Sequence, residues 1–305
     1  MESRLIIEAI QKYWDSQASD RAPGHIGMSA LGHCGRQLAY MHHQIQGNPL
    51  DWRAKVIFND GHMHHDQIRK AIREGLVLND SCYSLLSEEE EVNIGVLTGH
   101  IDGMLWHDDA ACASKEHKTM LLEVKSMNDR GFQELKRTNK LSFEYRAQVS
   151  GYLRASQVGL AYILVKNKNT GELYHLIYEG EDVFLDSRLD VLGEAINSTY
   201  PEEVRREYQA DADGKFDWQC NYCPFIRLCW RHEGIVEETG PKKYKLVRQN
   251  RADVTKTVTS DLKTTAESEK TIGTELALQE ASERETETKF EKWKKRRQGR
   301  SGRAT

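Results

Sequence analysis

The chain has 305 residues and a formal net charge of -4, enough for one sizeable α/β domain with an appendage. The acidic balance, with a pI near 6.3, excludes the global positive field that draws a protein onto nucleic acid, so any such contact needs a local basic groove. The N-terminus MESRLIIEAIQKYWDS lacks the basic flank and apolar core of a signal peptide, and no apolar run approaches the length of a bilayer span. These features point to the cytoplasm and to no membrane partner. There thiols stay reduced, so the six cysteines read as metal ligands, catalytic groups or spectators rather than a disulfide framework.

Taken in chain order, Leu5, Ile6, Ala9, Ile10, Tyr13 and Trp14 carry helical periodicity with one buried face. A second helix is predicted over Ser29 to Ile45. A third is predicted over Arg53 to Leu76, its apolar stripe formed by Val56, Ile57, Ile68, Ala71 and Ile72. From Ser84 the texture turns to extended runs, Glu90 to Ile94, Leu97 to Trp106 and Thr119 to Met127, read as a three-stranded meander with a polar loop at His107 to Lys118. A helix over Phe143 to Ala155 follows, then a strand at Ala161 to Asn167. The turn signal Asn169 to Gly171 sends the chain back as a strand from Glu172 to Tyr178. Two helices, Val183 to Asn197 and Pro201 to Gln209, complete the pattern. This order predicts an α/β or α+β fold with a central mixed sheet flanked by helices. Beyond Gly240 large apolar residues are scarce, and residues 239–305 read as a charged, disordered or partly helical tail. It carries the basic run Lys292 to Arg297 around Trp293, a solvated end or a contact for DNA or a partner.

Cys220, Cys223 and Cys229 stand in a C-x2-C-x5-C spacing that lets one turn bring three thiolates to one centre. Cys34 is the best fourth ligand, since Cys82 and Cys112 sit in a strand lead-in and a polar loop without partners. Four thiolates suit a [4Fe–4S] cluster or a tetrahedral zinc ion, and spacing separates the two poorly. Three buried cysteines used as small hydrophobes are the bland alternative. A ligand near the start and three near residue 225 would close a loop over the whole intervening region.

Asp102 interrupts an extended segment in Thr-Gly-His-Ile-Asp-Gly, and Glu123 and Lys125 do so on the next strand. Residues two apart on a strand share a face, so Glu123 and Lys125 project together. Two carboxylates can hold a divalent cation against a phosphodiester while an ammonium orients or helps deprotonate water; taken alone, Glu-x-Lys is a common surface ion pair. His65, in Gly61-His-Met-His-His65, is a candidate metal ligand, with His62 and His64 as rivals. Gln148 and Tyr152 lie one helical turn apart and share a face.

Together these residues resemble the RecB-like nucleases of the PD-(D/E)XK superfamily. The order Gly61/His65, Gly99/Asp102, Glu123/Lys125, Gln148/Tyr152 matches that family's motifs. Cys34 with Cys220, Cys223 and Cys229 looks like its iron–sulfur subgroup, which includes the AddB nuclease domain, CRISPR-associated RecB-like exonucleases and phage relatives. The resemblance covers about Ser29 to Trp230. It implies a restriction-endonuclease-like core over residues 29–238, preceded by an N-terminal helix in residues 1–28 and closed by a structural [4Fe–4S] cluster. It further implies Mg²⁺ or Mn²⁺ held by His65, Asp102, Glu123 and the Val124 carbonyl, with Lys125 assisting water and Gln148 and Tyr152 placing the strand. The implied activity is a DNA exonuclease acting 5′ to 3′ on single strands or ends in recombination or resection, in a bacterial or phage-infected cytoplasm, leaving 5′-phosphate and 3′-hydroxyl ends. No phosphate-loop motif occurs, so processivity would come from a recombination or replication partner, a ring-like homo-oligomer or the tail. The competing readings are a CRISPR nuclease trimming prespacers, a noncatalytic iron–sulfur or zinc DNA-binding scaffold, and a zinc-stapled RNA-processing protein.

Overall fold

Period-2 alternation from residue 120 onward builds the centre of the molecule, which we describe from a computed structural model covering residues 2–17, 25–79, 81–108 and 119–248. In chain order the elements are α1 (Glu2–Ser16), β1 (Ile26–Gly27), α2 (Gly35–His42), α3 (Trp52–Leu78), β2 (Tyr83–Leu86), β3 (Glu91–Ile94), β4 (Leu97–His100), β5 (Gly103–His107), β6 (Met120–Met127), α4 (Asp129–Thr138), α5 (Phe143–Ser156), β7 (Leu160–Asn167), β8 (Leu173–Glu179), α6 (Asp182–Asn197), α7 (Trp218–Tyr222), α8 (Ile226–Trp230), β9 (Gly234–Gly240) and β10 (Lys243–Arg248).

The main sheet runs β2-β5-β6-β7-β8. β6 and β7 are parallel, while β5 on β6 and β8 on β7 are antiparallel. The predicted mixed sheet between helices is therefore present. The strands alternate between two cores. Leu121, Ala161, Ile163 and Val165 pack with Ala147, Val149, Tyr152 and Leu153 of α5, whereas Leu122, Val124, Leu105 and Leu85 pack with Ile68 of α3. Crossing from β6 to its parallel neighbour β7 needs a helical connection, and α4 and α5 supply it.

The chain divides into two units, Met1–Cys229 with Glu238–Lys245, and Trp230–Glu237 with the chain from Leu246 onward. In the second unit the Glu233 N–H donates to the Trp230 carbonyl at 2.9 Å. β9 and β10 pair as a two-stranded sheet, so the stretch assigned to the tail begins with a strand. The tail beyond residue 248 and the loop at 109–118, with Cys112, lie outside the described residues.

Several expectations are corrected. The three extended runs do not form one meander. The segment Leu97 to Trp106 breaks at Ile101 and Asp102, so β4 joins β3 and β1 in a small separate sheet while β5 enters the main one. The helix expected over Ser29 to Ile45 is a single turn at Met28–Ala30 followed, after a break, by α2. From Pro201 only a short turn to Glu203 forms. The apolar face of α1 is exposed, with Leu5 and Ile6 both above 60% (62% and 68%), and within the α3 stripe Ile57 and Ala71 are exposed too. Cys82, expected to have no partner, is disulfide-bonded. Among the described residues no helix is long and apolar enough to cross a membrane.

Candidate active site

β5 pairs with β6 only from Met120 to Leu122, so on that side β6 runs on without a ladder partner. Asp102, at the break that sends the chain from one sheet to the other, fills the gap. Its Oδ2 accepts the Val124 N–H at 2.7 Å, replacing the carbonyl a neighbouring strand would have offered. In a strand a residue's N–H and C=O point to the same side, so the Val124 carbonyl also faces this edge. The other Asp102 oxygen lies 2.9 Å from His65 Nδ1 on α3.

Glu123 and Lys125 project together from β6 onto the α5 face, as the strand period requires. Glu123 is only 2% exposed, and its Oε1 lies 2.7 Å from Lys125 Nζ. The ammonium also donates to Gln148 Oε1 at 3.1 Å and sits over the Tyr145 ring at 4.9 Å. Gln148 in turn donates to the Tyr152 hydroxyl at 3.4 Å. One polar chain thus joins residues of β6 and α5. Gly99 gives it room: a Cβ there would stand 2.8 Å from Tyr152 Cε1 and 2.9 Å from its hydroxyl.

Burial raises the Glu123 pKa, Asp102 adding to the effect and Lys125 opposing it. Burial works against the Lys125 ammonium too, but the charge of Glu123, then Tyr145, outweighs it and the lysine pKa rises. Burial, followed by the charge of Glu123, pushes Tyr152 up to about 12, so its hydroxyl is a neutral donor. Burial, then the charges of Lys166 and Lys168, lowers the pKa of His64. The structure separates the three histidines: His65 reaches Asp102, His64 meets Lys166 at 3.2 Å, and His62 is exposed.

The four cysteines are gathered as well. The charges of Cys34 and Cys229 act on Cys220, and those of Cys220, Cys229 and Cys34 on Cys223. Burial pushes Cys220 and Cys223 up to about 12. It also raises Cys229, against the nearby charges of Arg36 and Arg206. Missed by the sequence reading is the support beneath Cys34. Arg188, 4% exposed, donates to the Leu31 and His33 carbonyls at 3.1 and 2.6 Å and pairs with Glu207 at 2.7 Å. Glu207 accepts the Gly35 N–H at 2.7 Å, and its own N–H meets the Cys34 sulfur at 3.4 Å. A lone arginine within a helical pattern gives no sequence signal of such a role.

Among the described residues no three His, Cys, Asp or Glu side chains stand close enough together to coordinate a metal ion in this arrangement. The donor chemistry nevertheless suits one at each place. Two carboxylates, an imidazole and a carbonyl around β6 are donors of the kind a hard divalent ion takes, and thiols are those a soft centre takes.

No protein-family model and no curated protein matches the chain. Among solved structures it is similar to the alkaline exonuclease LHK-Exo from Laribacter hongkongensis, at 11% identity and a TM-score of 0.39, over 61% of this chain and 90% of that one. It is similar to a phage-related exonuclease from Haemophilus somnus 129PT, at 14% identity and a TM-score of 0.33, over 61% and 89%. It is also similar to the protein SSO0001, at 14% identity and a TM-score of 0.37, over 75% and 96%.

Proposed function

We propose that the protein is a metal-dependent deoxyribonuclease of the RecB-like type, hydrolysing phosphodiesters at the edge of β6. The observation that carries this reading is the pair of networks along β6 where β5 leaves its neighbour: Asp102 on His65 and the Val124 N–H, and Lys125 on Glu123 and Gln148. Asp102, Glu123, His65 and the Val124 carbonyl would hold Mg²⁺ or Mn²⁺, which supplies charge neutralisation and a more acidic bound water. Lys125, with its raised pKa, is a cation at neutral pH. It therefore orients water and offsets charge on the phosphoryl oxygens rather than serving as the resting base. Gln148 fixes the ammonium and couples it to Tyr152, whose hydroxyl is a neutral donor for a phosphate or base.

In this reading Cys34, Cys220, Cys223 and Cys229 hold a [4Fe–4S] cluster that staples the domain. The products carry 5′-phosphate and 3′-hydroxyl ends, polarity is 5′ to 3′, and the role is end resection in recombination. The test is anaerobic purification with iron analysis, then incubation with 5′- and 3′-labelled single-stranded DNA plus Mn²⁺ or EDTA. Brown protein with Mn²⁺-dependent, EDTA-sensitive digestion is expected, the labels reporting polarity. Inert protein that still binds DNA would instead favour a noncatalytic scaffold.

A further inference from the structure

Lys166 is held differently from other cations around the sheet. Arg69, Lys136, Arg154 and Arg188 each pair with a carboxylate. Lys166, half-buried on β7, points Nζ at His64 Nδ1 (3.2 Å) and Gln67 Oε1 (3.0 Å). Among the described residues no carboxylate pairs with it. An ammonium only donates, so both partners are uncharged acceptors. The lysine is thus positioned without being neutralised, which suits a group meant to receive an anion.

Its place in the register gives the anion a location. Val124 pairs with Leu164 and Ser126 with Lys166, so Lys166 lies two residues beyond the partner of Val124, roughly 7 Å along the strand. It faces α3, near the C-terminal ends of the two parallel strands, where α/β sheets receive ligands. Its neighbour His64 is adjacent in sequence to His65, which reaches Asp102. Lys168, exposed just past the strand end and two residues beyond Lys166, is anchored by its N–H to the Met127 carbonyl at 2.8 Å. Asp60, one turn before His64 on α3, is exposed and forms no ion pair with Lys166. A Cβ at Gly61 would meet nothing within 4 Å, leaving that side of the helix open.

We propose that Lys166 and Lys168 form a phosphate subsite on the α3 face of the sheet, the side of His65 and opposite Glu123 and Lys125, gripping the backbone of the strand as it leaves the catalytic centre. The proposal rests on the nuclease reading. It assigns these lysines to holding substrate, distinct from the reacting set.

The test uses the full chain with Lys166→Gln, Lys166→Arg and Lys168→Gln, a labelled single-stranded DNA oligonucleotide cleaved in Mn²⁺, and binding measured in Ca²⁺ across a salt series. Lys166→Gln should raise KM roughly tenfold, the loss expected for one charge-assisted hydrogen bond, with the change in KM rather than kcat. The slope of log affinity against log salt should shallow by about 0.7 for one lost phosphate contact on a single strand. Lys166→Arg should restore most of the binding, and Lys168→Gln should give a smaller shift in the same direction. If the wild type cleaves and Lys166→Gln changes neither KM nor slope, or lowers only kcat, the subsite is wrong and the nuclease reading stands. A wild type that neither binds nor cleaves DNA overturns both.

Discussion

The carboxylate–lysine site and the four-cysteine site both gather residues distant in the chain, but they balance charge in different ways. At the first, the protein answers its own charges: Glu123 has Lys125 at 2.7 Å, and the two oxygens of Asp102 have His65 and the Val124 N–H. At the second, burial keeps Cys220 and Cys223 as neutral thiols, with pKa values up to about 12. A bound centre would have to displace those protons, so its binding energy would be coupled to pH and to folding. The first site is a polar network complete in the bare chain. The second is a group of half-buried thiols, supported at the Cys34 end by Arg188 and Glu207. Damage to the first should cost chemistry, and damage to the second should cost the fold.

The sharpest way to break this contrast is Glu123→Gln. The amide keeps the size of the side chain and can still accept from Lys125, while the charge disappears. Cleavage should fall roughly a thousandfold, the several kcal/mol that charge stabilisation by a metal centre supplies. The thermal midpoint of the metal-free protein should fall only modestly, because Lys125 loses its counter-charge but keeps the amide oxygen and Gln148 as acceptors. A midpoint that collapses with activity would show that the network is structural.

The opposite result is expected from Arg188→Ala. Removing this cation leaves the Leu31 and His33 carbonyls without its donors and Glu207 with the Gly35 N–H alone, and losing such charge-assisted, part-buried bonds costs about 1.5–3 kcal/mol. Urea unfolding should show that loss, together with a reduced iron content, while kcat per folded molecule changes little. Unchanged stability would remove Arg188 as the support of the Cys34 loop.

Acidity separates the two sites more gently. The folded-state pKa of Glu123 is raised, so the folded chain holds that proton more tightly than the unfolded one. Its contribution to stability is full below the ordinary glutamate range and is lost as pH rises through the raised value. The raised pKa of Lys125 acts in an alkaline window: its contribution is full below the ordinary lysine range and disappears only above it. In EDTA the melting temperature should therefore fall as pH climbs from the acid side toward neutrality. Mn²⁺, which favours the carboxylate, should flatten that slope, and Glu123→Gln should abolish it. A slope that survives the glutamine variant belongs to another group.

Sequence pattern located most of this architecture because period and spacing are local. The strands around Glu123 and Ile163, the helix carrying Gln148 and Tyr152, and the long helix carrying His65 all lie close to their expected ranges. The misses come from tertiary effects. Leu97 to Trp106 reads as one strand by alternation, yet it changes sheets at Asp102, and that change is what frees the carboxylate to cap β6. The helix expected over Ser29 to Ile45 is interrupted where Arg188, more than a hundred residues away, captures the Leu31 and His33 carbonyls. α4 escaped notice because Phe132 and Leu135 are its only buried residues, too few to establish a period. The choice among three neighbouring histidines depends on which meets Asp102, and no residue spacing decides that.

The smallest predicted effect tests whether the open side of α3 is used. Gly61 lies inside a long helix, where glycine costs about 0.5–1 kcal/mol relative to alanine through backbone entropy. A Cβ there would meet nothing within 4 Å, so packing gives no reason for the glycine. Gly61→Ala should accordingly stabilise the fold by about 0.5–1 kcal/mol, read from urea unfolding. One turn before His64 and His65, the added methyl would stand on the side where Lys166 meets the helix. If a strand passes there, KM should rise as stability improves, so that one substitution moves the two quantities in opposite directions. A more stable protein with unchanged KM would mean that nothing passes that face, and would place the substrate path on the α5 side with Gln148 and Tyr152.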